Sequence, residues 1–177
     1  MAFDQSFLDE QAWLRQAEQF FDAASVLAPS FASPRPHRPL TEPEVSRRVA
    51  CLKGTLLLLA VSVENALKAV KIARGEVIIE KGRVLKASLG GGKSGHDLVK
   101  LAEEARLDTS NEEATLLKRL TSVAVWAGKY QQPLSEVEYN AAETANPRTV
   151  RYPTDIELVR SLLAKSKELV RVARPGA

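Results

Sequence analysis

The stretch TEPEVSRRVACLKGTLLLLAVSVENALKAVKIA, residues 41–73, decides the fold. It opens on Thr41-Glu42-Pro43-Glu44, a capping-box pattern with proline in the first turn, where a missing N–H has no intrahelical partner anyway. Val45, Val49, Leu52, Leu56, Val63, Leu67 and Val70 then recur at steps of three, four or seven, which places them on one helical face. Between Thr55 and Val63 the pattern becomes apolar on almost every side, so this stretch reads as a central helix surrounded by others. Gly54 inside it either permits close helix packing or weakens the helix. Arg74-Gly75 supplies the stop, a cation near the carbonyl end followed by glycine.

Outward from this helix the signals remain mostly helical. Ser110-Asn111-Glu112-Glu113 and Thr154-Asp155-Ile156-Glu157 are further capping boxes. The helix that each opens carries an apolar stripe, Leu116, Leu117, Leu120, Val123 and Ala124 in 111–127, and Ile156, Val159, Leu163 and Val170 in 154–173. An earlier helix is expected after Ser6, with Asp9 in the box position and Phe7, Ala12, Leu14, Phe20, Phe21 and Leu27 available for burial. Segment 29–40 holds four of the nine prolines and reads as an extended link. Glu76 to Glu80 and Arg83 to Lys86 are β-branched-rich runs about Lys81-Gly82, a small hairpin that must lean on helices or on a second chain. Ser88 to Gly95 is a glycine loop, a short helix follows through Leu98, Leu101 and Ala102, and 128–153 is an irregular connection. The expectation is one all-α domain over 1–177, a bundle of about five helices with a long central helix and a β-hairpin near 76–86.

Composition narrows the chemistry. With 177 residues, 45% hydrophobic, the chain can bury a core without staples, and its single cysteine, Cys51, forms no internal disulfide. His37 and His96 leave little for a zinc site, and no metal or cofactor is expected. The apolar run Leu56 to Val63 is far shorter than the ~20 residues of a membrane span. The N-terminal region carries Asp4, Asp9 and Glu10 where an export signal needs positive charge, so the reading is cytoplasmic with no membrane. The net charge of +3 is uneven: −4 over residues 1–30, +3 over 31–60, +4 over 61–100, −3 over 101–140 and +3 over 141–177. A basic middle and tail suit RNA, a nucleotide or an acidic partner, and alternating blocks equally suit neighbouring helices that complement each other.

Two constellations carry chemistry. Ala87-Ser88-Leu89-Gly90-Gly91-Gly92-Lys93-Ser94 nearly spells a P-loop, with alanine at the first glycine position. Its two readings are a phosphate cradle using Lys93 and Ser94, or a flexible hairpin-to-helix connection; the helical surroundings lack the parallel sheet that the first requires. The other constellation is Glu64-Asn65-Ala66-Leu67-Lys68 in the long helix, then Gly95-His96-Asp97-Leu98, then Trp126 and Lys129-Tyr130. Glu64 and Lys68 stand one turn apart in the favourable orientation for an ion pair, worth a few tenths of a kcal/mol if exposed. Beside so apolar a stretch Glu64 and Asn65 need partners, which His96 or Lys129 can supply. Asp97 can cap the following helix while the imidazole reaches inward. Trp126, Tyr130 and Lys129 can stack on and neutralise a base or nucleotide, or pack at a helix end.

These residues, in this order, resemble the HEPN domain (higher eukaryotes and prokaryotes nucleotide-binding), over residues 42–130 in motif and nearly the whole chain in helix layout. The resemblance implies an all-α bundle, commonly dimeric. Many such domains are metal-independent endoribonucleases of toxin–antitoxin, phage-defence and CRISPR-associated systems, while others bind nucleotides or serve as non-catalytic partners. The family's ribonucleases carry an arginine four to six residues before a histidine on a late helix. Here His37 follows Arg35 too closely, His96 lies too far from Arg83, and no histidine follows Arg119. The resemblance therefore points to a non-catalytic binding or regulatory component, a homodimer meeting RNA, nucleotide or a cognate protein partner. Lys71, Arg74, Lys93, Trp126 and Tyr130 are its candidate nucleic-acid or nucleotide contacts. The alternative is a metal-independent endoribonuclease with a non-standard site drawn from Glu64, Lys68, His96 and Lys129.

Overall fold

The computed structural model describes residues 3–33, 37–127, 136–137, 140 and 149–174. In chain order these form α1 (Phe3–Phe7), α2 (Glu10–Ala32), α3 (Glu42–Ala73), a β-hairpin of β1 (Ile79–Glu80) and β2 (Arg83–Val84), a 3₁₀ turn Lys86–Leu89, α4 (Leu98–Glu104), α5 (Asn111–Ser122) running into a π-helical turn Val123–Ala127, and α6 (Thr154–Ala173). The architecture is all-α with one small hairpin. None of the described helices is long and apolar enough to cross a membrane.

The second half of α3 is the centre. From Thr55 to Ile72 it buries residues on most of its faces, including Leu59, Leu67, Ala69 and Val70. Antiparallel α2 lies along it on a seam of small residues, Ala17, Ala24 and Ala28, which lets the two axes approach closely. The buried Ser62 hydroxyl donates to the Ala17 carbonyl at 2.7 Å, and a Cβ on Gly54 would stand 3.1 Å from Leu27 Cδ1. Leu98 and Leu101 of α4, Leu116, Leu117 and Leu120 of α5, and Val159, Leu162 and Val170 of α6 complete the same core. Burying one such leucine contributes roughly 1.5–3 kcal/mol.

Several local expectations change under tertiary contact. The helix expected to start after Ser6 starts at Glu10, Ser6 lying inside the short α1, and Asp9 is its cap, the carboxylate accepting from the Gln11 and Ala12 N–H groups at 3.0 and 3.1 Å. A carboxylate at the N-cap outcompetes a hydroxyl further upstream. The extended link does not begin at residue 29, because α2 continues through Pro29 to Ala32. Pro29 gives up the bond to the carbonyl four residues earlier, and the helix end beyond it is held by the Arg48 guanidinium of α3, which donates to the Phe31 and Ser33 carbonyls. Val45 and Val49 belong to the apolar stripe in sequence but are 45% and 43% exposed, because the first three turns of α3 bury nothing.

The box expected at Thr154 is also replaced. Thr154 is the first helical residue, and it is the Asp155 carboxylate that accepts from the Arg151 N–H and the Arg119 guanidinium, each at 2.7 Å. The other two boxes lie where the sequence puts them. Glu113 accepts from the Ser110 N–H, and Glu44 from the Thr41 N–H. Arg38 grips the Glu44 carboxylate as well, and with the Thr41 contacts lowers its pKa to about 2. The hairpin pairs Ile79 with Val84 and Glu80 with Arg83, and its two-residue turn places both Lys81 and Gly82 at positive φ, the type I′ geometry that matches strand twist. It leans on the helices through buried Val77 and through Glu76, which meets Lys71.

Candidate functional site

Glu64, Lys68 and Lys71 follow at i, i+4 and i+7, so one stripe of α3 is charged where its neighbours are apolar. Charge that deep needs partners, and they come from within the stripe, from His96 of the loop Gly90–Asp97, and from Glu76 and Glu104 on either side of it. The Glu64 carboxylate accepts from Lys68 Nζ at 2.6 Å and contacts His96 Nδ1 at 2.9 Å through its other oxygen. The side chains of Glu64 and Lys68 are 10% and 9% exposed, that of His96 39%. A carboxylate against Nδ1 favours a proton on that nitrogen. Nε2 has no hydrogen-bond partner among the described residues.

Local sequence explains why the ring points inward. Asp97 caps α4 through the Lys100 N–H at 3.1 Å, and the Leu98 N–H donates to Thr121 Oγ1 of α5 at 3.0 Å. The residue before that anchored cap is turned toward α3. Upstream, the loop doubles back on itself. The Gly91 carbonyl accepts from the Asp97 N–H at 3.1 Å, and a Cβ on Gly91 would lie 2.8 Å from the Gly95 backbone. Glu104 of α4 reaches under the loop, accepting from the Gly91 N–H at 3.2 Å and meeting Lys71 Nζ at 3.4 Å. Gly90, at φ +80°, is the residue that leaves room, since a Cβ there would come within 1.9 Å of the Glu104 carboxylate.

This arrangement frames a recess of about 380 Å³ lined by Lys68, Lys86, Lys93, Ser94 and His96, with Ala87 and Leu89 on its apolar side. Lys86 and Lys93 are exposed and form no ion pair among the described residues, so the recess is positive even though Glu64 offsets Lys68. Positive charge beside a low-dielectric wall favours anions. Among the described residues no group of three or more metal-ligating side chains converges.

Compared with protein-family models, curated proteins and solved structures, the chain matches none. The resemblance to HEPN domains rests on the residues themselves, and the structure distributes them unevenly. Glu64, Lys68 and His96 converge, and Lys93 joins them on the recess wall. Lys71 is buried and satisfied by Glu76 and Glu104. Arg74 closes α3, half-buried, with Nη1 unpartnered. Trp126 lies on the π-helical turn after α5, while Lys129 and Tyr130 fall outside the described residues.

The P-loop pattern is a reverse turn with a different use. Ser94 precedes α4 by four residues, the helix N-terminus is occupied by Asp97 and Thr121, and the described strands form only an antiparallel pair. Sequence reasoning missed Lys86 and Glu104. Lys86 sits at the end of the hairpin run and is a plausible site residue only once the loop folds back. Nothing in the spacing of Glu104 announces that it supports a loop thirteen residues upstream.

Proposed function

We propose that this chain is a HEPN-like helical protein that binds RNA or a nucleotide by its phosphate in the recess at His96, as a non-catalytic binding or regulatory component of a prokaryotic toxin–antitoxin or phage-defence type system. The observation that carries the reading is the Glu64 carboxylate holding Lys68 and His96 together beside two uncompensated lysines, Lys86 and Lys93. A phosphate diester offers oxygens to the lysine ammonium groups, which are suited to it as point charges. The all-α architecture agrees with the same family, and self-association or a cognate protein partner belongs to the proposal in the same way.

One feature favours the second reading, a metal-independent endoribonuclease. An imidazole anchored at Nδ1 by a carboxylate and open at Nε2 is arranged as a general base. With RNA in the recess, Nε2 would take the 2′-hydroxyl proton as O2′ attacks phosphorus. The 5′-oxygen would leave with a proton from water, giving a 2′,3′-cyclic phosphate and a 5′-hydroxyl. The lysines would stabilise the charge developing on the phosphoryl oxygens.

Total RNA and tRNA incubated in EDTA with the wild type, His96→Ala and Lys93→Ala separate the readings. Binding without cleavage is expected, with Lys93→Ala lowering the slope of log K against log salt by about 0.7, the share of one single-strand phosphate contact. Cleavage that disappears in folded His96→Ala establishes the ribonuclease instead. RNA neither retained nor cut would overturn both.

A further inference from the structure

A second recess, of about 350 Å³, lies against the same turn of α3, lined by Phe3, Ser6, Phe7, Trp13, Gln16 and Asn65 among others. The geometry points to this groove as a nucleobase subsite, taking the flat ring of a ligand whose phosphate occupies the recess at His96; it rests on that phosphate-binding reading. The connection between the two recesses is helical. Asn65 lines the first and Lys68 the second, and residues three apart on a helix are surface neighbours with Cβ atoms about 5–6 Å apart. The two recesses therefore adjoin along α3, as the base and phosphate of one ligand require.

The groove has the chemistry of a stacking platform. Phe3 and Phe7 stand one turn apart with ring centroids at 6.0 Å, and Phe7 meets Trp13 edge-on at 5.2 Å. The indole Nε1 donates to the Phe7 carbonyl at 2.8 Å, fixing α1 against α2 and leaving the ring no polar edge to satisfy. Yet α1 buries none of its residues, and Phe3 is 52% exposed. Phe3 is therefore presented at the surface, with Phe7 and Trp13 half-buried behind it and Trp13 packed against the core. Polar edges accompany them: Asn65 donates one N–H to the Val61 carbonyl at 2.6 Å and keeps its remaining amide valences. The Ser6 hydroxyl and the Gln16 amide have no hydrogen-bond partner among the described residues. Aromatic faces with amide and hydroxyl groups at the margin recognise a base by stacking and by its hydrogen-bonding edge.

The test compares, by fluorescence anisotropy on the whole chain, an eight-residue oligouridylate with an abasic ribose-phosphate strand of equal length. Base stacking predicts roughly 5- to 150-fold tighter binding of the base-bearing strand. Phe3→Ala, a change at a half-exposed side chain, should erase most of that difference and leave the abasic strand unaffected, while Lys93→Ala weakens both. Displacement by uridine monophosphate would show that a single nucleotide fills both recesses; displacement only by a longer strand would assign them to RNA. Equal affinities for the two strands would overturn the base subsite while leaving the phosphate recess standing. So would a base preference unchanged in Phe3→Ala. If neither strand binds, the phosphate recess fails and the base subsite with it.

Discussion

Replacing Glu64 by leucine tests how the charged stripe of α3 is maintained. On an exposed helix an i, i+4 Glu–Lys pair is worth about 0.3–0.5 kcal/mol. Here both side chains are nine-tenths buried, and Glu64 also holds His96. Removing one member of a buried pair leaves an uncompensated charge, which typically costs about 3–5 kcal/mol. Lys68 lines a recess rather than the sealed core, so the lower end applies, about 3 kcal/mol. For a chain of this length that corresponds to a melting temperature lower by roughly 6–12 °C. The double variant Glu64→Leu/Lys68→Met replaces the pair by apolar volume and should regain wild-type stability or exceed it, while losing retention of phosphate ligands. Urea and thermal melts followed by circular dichroism give both numbers. A single-variant loss below about 1 kcal/mol, or a double variant no better than the sum of its singles, would refute the reasoning.

Two further changes probe the supports of the site. Gly90→Ala combines a backbone at φ +80° and ψ −164°, open to little but glycine, with a Cβ placed inside the Glu104 carboxylate, whereas Gly82→Ala meets only the positive φ of the hairpin turn, with nothing within 4 Å. Each should lose about 1–3 kcal/mol to backbone strain, but Gly90→Ala should lose more and should also weaken phosphate binding, measured by calorimetry beside melts; equal effects of the two would sink the role given to Glu104. For Glu113, burial opposes the charged form, but Lys165, the Ser110 N–H and the Ser161 hydroxyl outweigh it, and its pKa is lowered. A carboxylate depressed in the fold stabilises the protein above its ordinary pKa of about 4.3, and that stability is lost as pH falls through the folded value. Lys165→Met should make the urea midpoint fall less steeply below about pH 4.3; an unchanged slope would mean the pair carries none of it.

What the sequence makes legible is what neighbouring residues decide among themselves. The length and burial of α3, two capping boxes, the Lys81-Gly82 turn and the inward turn of His96 beside a helix-capping Asp97 all follow from spacings of a few residues. The failures at Thr154 and at the end of α2 share one cause, a partner distant in the chain. Thr154 loses its cap to Asp155 because Arg119, on another helix, needs a carboxylate there. The end of α2 past Pro29 is held by Arg48, which takes up the Phe31 and Ser33 carbonyls from another helix. The aromatic groove requires residues 3–16 to meet Asn65, and no periodicity encodes that meeting. Glu64 and Lys68 are legible as a pair, and the apolar surroundings announce that Glu64 needs partners, but the burial of Lys68 is not legible.

The placement of charge along α3 argues that the site, rather than the fold, sets its sequence. A helix surrounded on most sides is most stable when its inward positions are apolar, and Leu59, Val63, Leu67 and Val70 obey that rule. Glu64, Lys68 and Lys71 break it on consecutive turns, and each is satisfied by a group on or beneath one loop or by another member of the stripe. Lys71 meets Glu104, Glu104 meets the Gly91 N–H, and Glu64 meets His96. The loop is thus fastened at both ends by groups whose burial costs stability. A connection needed only to join a hairpin to a helix would be stable enough with apolar residues at those positions. What the charges add is a fixed loop geometry, with His96, Lys93 and Ser94 held at the wall of one recess beside Lys68.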